Sequence, residues 1–244
     1  MNLLVEIGNT RMKWALADAD GRVFGEEVGT LTDAHLASLV VRYDVQRAIC
    51  SSTRGEVAQT EALLARHVPQ VVSFTADTPV PVGIDYATPE TLGRDRVAAA
   101  VGASVLYPNR DVLIVDFGTA LTMDYLSADG VFHGGSISLG VTNRFRALHE
   151  YTASLPLVEP TEEEQLFGNS TKTAIAQGVM NSVQFELEGY IARMAEKKAD
   201  FCIIFTGGEA KYFVKRIKNT IFAEPNLVFC GLNRILEYNA TTKQ

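Results

Sequence analysis

The sequence predicts an α/β protein of two related domains, and three observations carry that expectation. A carboxylate, any residue, a glycine and small polar residues lead into a β-hairpin twice, as Glu6-Ile7-Gly8-Asn9-Thr10 and as Asp116-Phe117-Gly118-Thr119. The hairpin turns match as well, Ala19-Asp20-Gly21 in one half and Ala128-Asp129-Gly130 in the other. Each carboxylate closes an apolar run, Leu3-Leu4-Val5 and Val112-Leu113-Ile114-Val115, the pattern of a buried strand that delivers an acid to a strand end. With 244 residues and 47% hydrophobic content, the chain can fill two modest cores.

In chain order, the first half reads as a strand over 2–7, a hairpin over 12–28, a helix over 33–43 and a buried strand over 47–51. A helix near 55–67 and a short strand over 71–74 follow. From 77 to 90 the pattern stops at Pro79, Pro81, Gly83 and Pro89, which mark a loop. A helix then starts near Thr91 and runs through Val97-Ala98-Ala99-Ala100-Val101. Pro108-Asn109 breaks that helix and sets the domain division at 1–108 and 109–244. The second half reads as a strand ending at Asp116, a hairpin to about 137, helices over 143–151 and 172–196, and a strand over 201–205. A Thr206-Gly207-Gly208 turn, a helix through Lys218, a strand over 227–229 and a final helix complete it. Three strands followed by alternating helices and strands in both halves are the order of two ribonuclease-H-like domains.

Two glycine turns that face each other can grip one polyphosphate, because backbone N–H groups approach oxygens where a side chain would block them. Glu6 and Asp116 would then hold the magnesium that accompanies a nucleotide, so the duplication proposes an ATP cleft between the domains. In Gly93-Arg94-Asp95-Arg96 a carboxylate stands between two cations at a helix start, where cations and helix dipole keep it ionised. An ionised aspartate is what a hydroxyl needs when it loses its proton to attack a phosphoryl group; the plain structural reading is an N-terminal cap with exposed arginines. Thr206-Gly207-Gly208-Glu209-Ala210 leaves room for a flat ring against the backbone, and Gly134-Gly135-Ser136-Ile137 reads as substrate room or as the end of a hairpin.

Composition narrows the classes. The net charge of -7 and scattered Lys and Arg argue against a nucleic-acid surface. Cys50, Cys202 and Cys230 lie in or beside apolar runs and read as reduced core thiols of a cytoplasmic protein. No apolar stretch spans a bilayer, so no membrane partner is expected. His35, His67, His133 and His149 have no ligand spacing, and no transition-metal site or Ser-His-Asp arrangement is expected.

The paired phosphate motifs resemble those of the acetate and sugar kinase, heat-shock chaperone and actin superfamily. With Gly93-Arg94-Asp95-Arg96 between them and Thr206-Gly207-Gly208 behind, the chain resembles a type III pantothenate kinase over most of its length. The resemblance implies ATP-dependent phosphorylation of pantothenate, the first step of coenzyme A synthesis, by an actin-like ATPase fold. It implies magnesium, a monovalent cation (K+ or NH4+), and a homodimer whose partner subunit completes the active site. By position, Asp95 is the base, and Tyr86, Gly93, Arg94 and Arg96 surround pantothenate, with Thr171 reaching into the partner's pocket. Glu6, Ile7, Gly8, Asn9, Thr10, Arg11, Met12, Lys13 and Thr119 match phosphate contacts, Gly207 and Gly208 lie near adenosine, and Asp116 matches the monovalent-cation ligand. The chain departs from the family in three places. Glu6 replaces an aspartate, Leu121 stands where a threonine is usual, so that a polar contact to phosphate is lost, and Leu139 replaces a proline, loosening a turn. Two other functions compete: a sugar-type kinase of the superfamily, and a nucleotide-binding regulator without catalysis.

Overall fold

The computed structural model describes residues 1–54 and 57–241. They form two compact units, one from 1–109, 126–134 and 226–241, the other from 110–125 and 135–225. The C-terminal segment therefore packs with the first unit and not with the residues it follows, unlike a division into contiguous halves.

The first unit holds a five-stranded sheet in the order β3-β2-β1-β4-β5. Strand β1 (Asn2–Ile7) runs antiparallel to β2 (Met12–Ala17) and parallel to β4 (Arg47–Ser52), with Glu6 opposite Lys13 and Ser51. Central position explains its continuous apolar run: Leu3, Leu4 and Val5 are fully buried, with both sheet faces covered. β3 (Val23–Val28) and β5 (Gln70–Phe74) close the two edges. Helix α1 (Asp33–Tyr43) starts where the Thr32 hydroxyl accepts the His35 N–H and stops where Asp44 turns left-handed at φ 48°. Helix α2 covers Ala58–Ala65; the expected start near 55 falls on residues outside the described ones. Leu36, Leu39 and Leu64 from these helices pack on Leu3, Val5 and Trp14.

The 77–90 segment is not wholly a loop. Its Gly83–Ile84 forms a two-residue strand, β6, parallel to the start of β9 (Val131–Leu139). A strand this short carries no period, so the prolines around it hid it. Pro89–Thr91 is a single 3-10 turn, and α3 (Arg94–Leu106) begins three residues later than expected, with Gly93 as its N-cap.

Two further expectations are corrected. Leu227, Val228 and Phe229 are not a strand but the first turn of α6 (Leu227–Thr241); a three-residue apolar run fits either period. The strand of that region is β11 (Phe222–Ala223), parallel to β10 (Cys202–Thr206). Where a helix through Lys218 was expected, only the 3-10 turn Ala210–Tyr212 forms a regular element. Helices α3 and α6 cross closely because small residues meet: a Cβ on Gly231 would lie 1.8 Å from the Ala98 carbonyl oxygen, and one on Gly102 would lie 2.2 Å from that of Leu227. This contact keeps α6 in the first unit.

The second sheet runs β11-β10-β7-β8-β9-β6, with β7 (Val112–Phe117) parallel to β10 and followed by β8 (Ala120–Leu126). In the second unit, α4 (Val141–Glu150) and α5 (Thr171–Ala195) cover β7 and β8 through Phe145, Ile175, Val179 and Val183. The Ser170 and Thr173 side chains cap α5 reciprocally. Among the described residues, no helix is long and apolar enough to cross a membrane.

Candidate functional site

In the first unit, β1 delivers Glu6 to the strand end and the chain turns at once, with Gly8 N–H donating to Arg11 O at 2.9 Å. Asn9, Thr10 and Arg11 are exposed on this turn, and Lys13 returns opposite Glu6. Thr53 secures the turn from behind, donating its N–H and hydroxyl to Ile7 O at 3.0 and 3.3 Å. Sequence alone missed Thr53; the one signal for it is its place just after β4, the parallel neighbour of β1.

Burial pushes the Glu6 carboxyl above its usual 4.5; Lys13 opposes the rise, and Asp95 and Glu26 add to it. The folded chain therefore holds the Glu6 proton more tightly than the unfolded chain. Stability is full below about pH 4.5 and falls as pH rises through the raised value. Glu6→Gln should remove that slope, so that thermal unfolding at pH above the raised value moves to higher temperature than in the wild type; an unchanged pH profile would contradict this account.

The Asp95 carboxylate folds back over its own helix start. Its Oδ1 accepts the Arg96 N–H at 2.9 Å, and a Cβ on Gly93 would meet it at 2.5 Å, which is why glycine stands there. The two arginines are not the exposed cations of the plain capping reading. Arg94 Nη2 donates to Pro89 O at 2.8 Å and Nε to Leu92 O at 3.0 Å, so this side chain binds the preceding turn together. Burial lowers the Arg94 value and Asp95 raises it. Arg96 is 6% exposed and lies over the rings of Tyr86 and Phe132, 5.8 and 5.7 Å from their centroids.

Tyr86 rests against Gly134, where a Cβ would come within 3.0 Å of the ring and where φ is +84°. Gly134 thus serves backbone turn and ring contact, whereas a Cβ on Gly135 would strike the Met123 carbonyl oxygen at 1.9 Å. Of the two readings of this pair, Gly135 fits the close pairing of a hairpin. The structure also assembles what sequence reasoning did not foresee: His133 stands between Asp85, at 3.0 Å from Nδ1, and Ser127, at 3.1 Å from Nε2.

In the second unit the turn Asp116-Phe117-Gly118-Thr119 is built on the same plan. Gly118 N–H donates to Ala120 O at 3.1 Å, and Thr119 O accepts from Gly140 N–H at 3.1 Å and from the Asn143 amide at 2.9 Å. Asp116 pairs in register with Thr206, which brings the Gly207-Gly208 turn beside it. Gly207 has φ +88°, and a Cβ there would meet Asp116 Oδ1 at 2.5 Å and Phe117 O at 2.6 Å. Gly208 has open space where a side chain would stand. Glu209 Oε1 accepts the Thr142 N–H at 3.2 Å and its hydroxyl, capping the α4 N-terminus that Gly140 leaves without a side-chain cap. Asn143, and the capping role of Glu209 within the glycine turn, are further features that sequence reasoning missed.

Two departures change meaning here. Leu121 is fully buried with Val115 and Phe117, so its side chain faces the core and not a phosphate. Leu139 does not leave a loose turn: its carbonyl accepts from Arg144 Nε at 2.8 Å, while Arg144 also pairs with Glu186 and donates to Ser138 and Ser182.

Thr171 opens α5 at the edge of an apolar groove of about 900 Å³. Leu139, Leu148, Tyr151, Ala174 and Gly178 line it. The stripe 171, 174, 178, 182 on α5 continues by helical period to Phe185, which is 53% exposed.

Asp116 Oδ1 and Phe117 O converge on the space beside Gly207, an oxygen donor set that suits a hard cation. Among the described residues, no group of three or more His, Cys, Asp or Glu could hold a metal ion.

Residues 2–193 match the model of a family described as type III pantothenate kinase. A protein of that name from Phocaeicola vulgatus is 40% identical over 98% of this chain and 99% of its own. The solved structure of a protein described as a Baf family transcriptional activator from Campylobacter jejuni covers 98% of this chain and 99% of its own, at TM-score 0.63 and 19% identity. The activator of 2-hydroxyisocaproyl-CoA dehydratase from Clostridium difficile, solved with bound ADPNP, covers 99% of this chain and 97% of its own, at TM-score 0.57 and 14% identity. These structures show the fold alone, that of actin-like ATPases and sugar kinases.

Proposed function

The chain belongs to the type III pantothenate kinase family and phosphorylates pantothenate with ATP in coenzyme A biosynthesis; we propose that Asp95 is the group that takes the hydroxyl proton. The observation that carries this role is the Asp95 carboxylate held over Gly93 at the first turn of α3, on the same unit as Glu6 and Tyr86. The pantothenate hydroxyl oxygen bonds to the γ-phosphorus, the bond to ADP breaks, and the proton passes to Asp95. The products are phosphopantothenate and ADP.

Gly93, Tyr86 and Arg96 shape the pantothenate side, and Arg94 contributes by fixing the preceding turn. The 6–13 turn and Thr119 bind the ATP phosphates with backbone amides and Lys13, while Gly207 and Gly208 bound adenosine. Magnesium bound with the nucleotide would supply charge neutralisation on the phosphates, and Glu6 is the carboxylate of this unit that would help to hold it. Asp116 holds the monovalent cation, K+ or NH4+. The enzyme works as a homodimer in the cytoplasm; the exposed apolar groove ending at Thr171 supports the dimer, and the buried, reduced thiols of Cys50 and Cys202 support the compartment.

The test is ATP-dependent phosphorylation of pantothenate and of a sugar panel by the purified protein with magnesium, with and without potassium. Phosphopantothenate that requires potassium is the expected result. Phe185→Glu should give a monomer with little activity, because it buries charge in the subunit contact. Product from a sugar instead, or ATP binding with no product, would overturn the reading.

A further inference from the structure

We propose that His133 and Asp85 form a clasp that fixes the Tyr86 ring and thereby sets the affinity for pantothenate, His133 acting as a positioning residue. The proposal rests on the reading of Tyr86 as a pantothenate contact. Tyr86 lies two residues past the end of β6, in a stretch with three prolines and little regular structure, so its backbone has few anchors of its own. Those anchors are visible. Gly83 N–H donates to Gly130 O and Asp85 N–H to Phe132 O, both at 2.9 Å, and there the parallel pairing of β6 with β9 ends.

One residue further along each strand, the side chains take over. His133 Nδ1 lies 3.0 Å from Asp85 Oδ2 and bridges the strands just where backbone pairing stops. The next residues on both strands are Tyr86 and Gly134, and they are the pair whose close contact seats the ring. Arg96 lies over Tyr86 and Phe132 together, so the Tyr86 ring meets a cation as well as the glycine. A register slip or a swing of β6 would move Tyr86 first.

The imidazole is itself oriented. Nε2 faces Ser127 Oγ at 3.1 Å, and Ser127 is 8% exposed in the β8–β9 turn. The three residues have the order of a hydrolytic triad, but the serine hydroxyl is spent on that turn, bonded to Asp129 and, at 3.1 Å, to Val131 O. Ser127 therefore braces His133 and is not a nucleophile.

The test compares steady-state kinetics of the dimeric enzyme for His133→Leu, Asp85→Asn, the double variant, His133→Asn and Tyr86→Ala, varying pantothenate and ATP separately. His133→Leu and Asp85→Asn should each raise the pantothenate KM roughly three- to tenfold, with kcat and the ATP KM unchanged. The double variant should be no worse than the singles, the sign of a shared interaction. His133→Asn, whose amide can stand where Nδ1 stands, should recover most of the affinity. Equal losses in kcat and in the ATP KM, additive singles, or an unchanged pantothenate KM would overturn the clasp. Tyr86→Ala separates the two readings: if it leaves the pantothenate KM unchanged the site reading fails, and if it raises it while the clasp variants do not, only the clasp fails.

Discussion

Asp95→Asn should yield a protein that unfolds at the wild-type temperature and makes almost no phosphopantothenate. Asparagine keeps an oxygen that can accept the Arg96 N–H and adds no atom over Gly93, so the start of α3 survives the change. What it loses is the capacity to take a proton. General-base catalysis by a positioned side chain contributes about 10²–10⁴-fold, and a loss of that size in kcat, with the ATP KM unchanged, is the expected outcome. A second readout comes from the neighbour. Asp95 is one of the charges that raise Glu6, so the variant should also flatten part of the loss of stability that comes as pH rises through the Glu6 value. Activity within a few-fold of wild type would remove Asp95 from the chemistry.

Gly231→Ala should unfold far more easily although it adds only one methyl group to a helix. Alanine in place of a helical glycine ordinarily gains about 1 kcal/mol. Here the methyl carbon would stand 1.8 Å from the Ala98 carbonyl oxygen, a backbone atom that no rotamer change can move. The helices must separate, at a cost of about 3 kcal/mol or more from strain and lost packing. For a chain of this size that is a fall of about 6–12 °C in Tm. Gly102→Ala, at 2.2 Å from the Leu227 carbonyl oxygen, should behave alike, whereas Gly189→Ala on α5, with nothing within 4 Å, should be neutral or stabilising. If all three variants shift Tm equally, the close crossing of α3 and α6 is not what the glycines serve.

The contrast between those glycines shows what the sequence could and could not reveal. Local chemistry was legible: the carboxylate-glycine turns, the hairpins, the α1 boundaries and the helix start around Asp95 all follow from neighbours within a few residues. Gly102 and Gly231 carry no local sign, because the reason for each lies on a partner more than a hundred positions away. The same holds for the first turn of α6, whose Leu227-Val228-Phe229 fits two periods until Ala98 and Gly102 are seen beneath it. At the start of α3, the turn at Gly93 and the place of Asp95 on it were readable, but the contacts of Arg94 were not. A cation next to a carboxylate looks like its partner in sequence, while in the fold its guanidinium is committed to the carbonyls of Pro89 and Leu92. Thr53, Asn143 and the capping role of Glu209 were missed for the reason that hides most supporting residues: each acts on a turn that is remote in sequence and adjacent only after the sheets have formed.

The return of α6 to α3 also sets a clock on synthesis. A chain leaving the ribosome completes the second unit's sequence before α6 exists, yet the apolar length of α3, made much earlier, has no other helix to cover it at that crossing. At ordinary translation rates the wait is on the order of ten seconds. During that interval the nascent protein carries a sticky half-built domain, so slow codons late in the message lengthen exposure to chaperones and proteases, and a chain terminated before α6 never ends it.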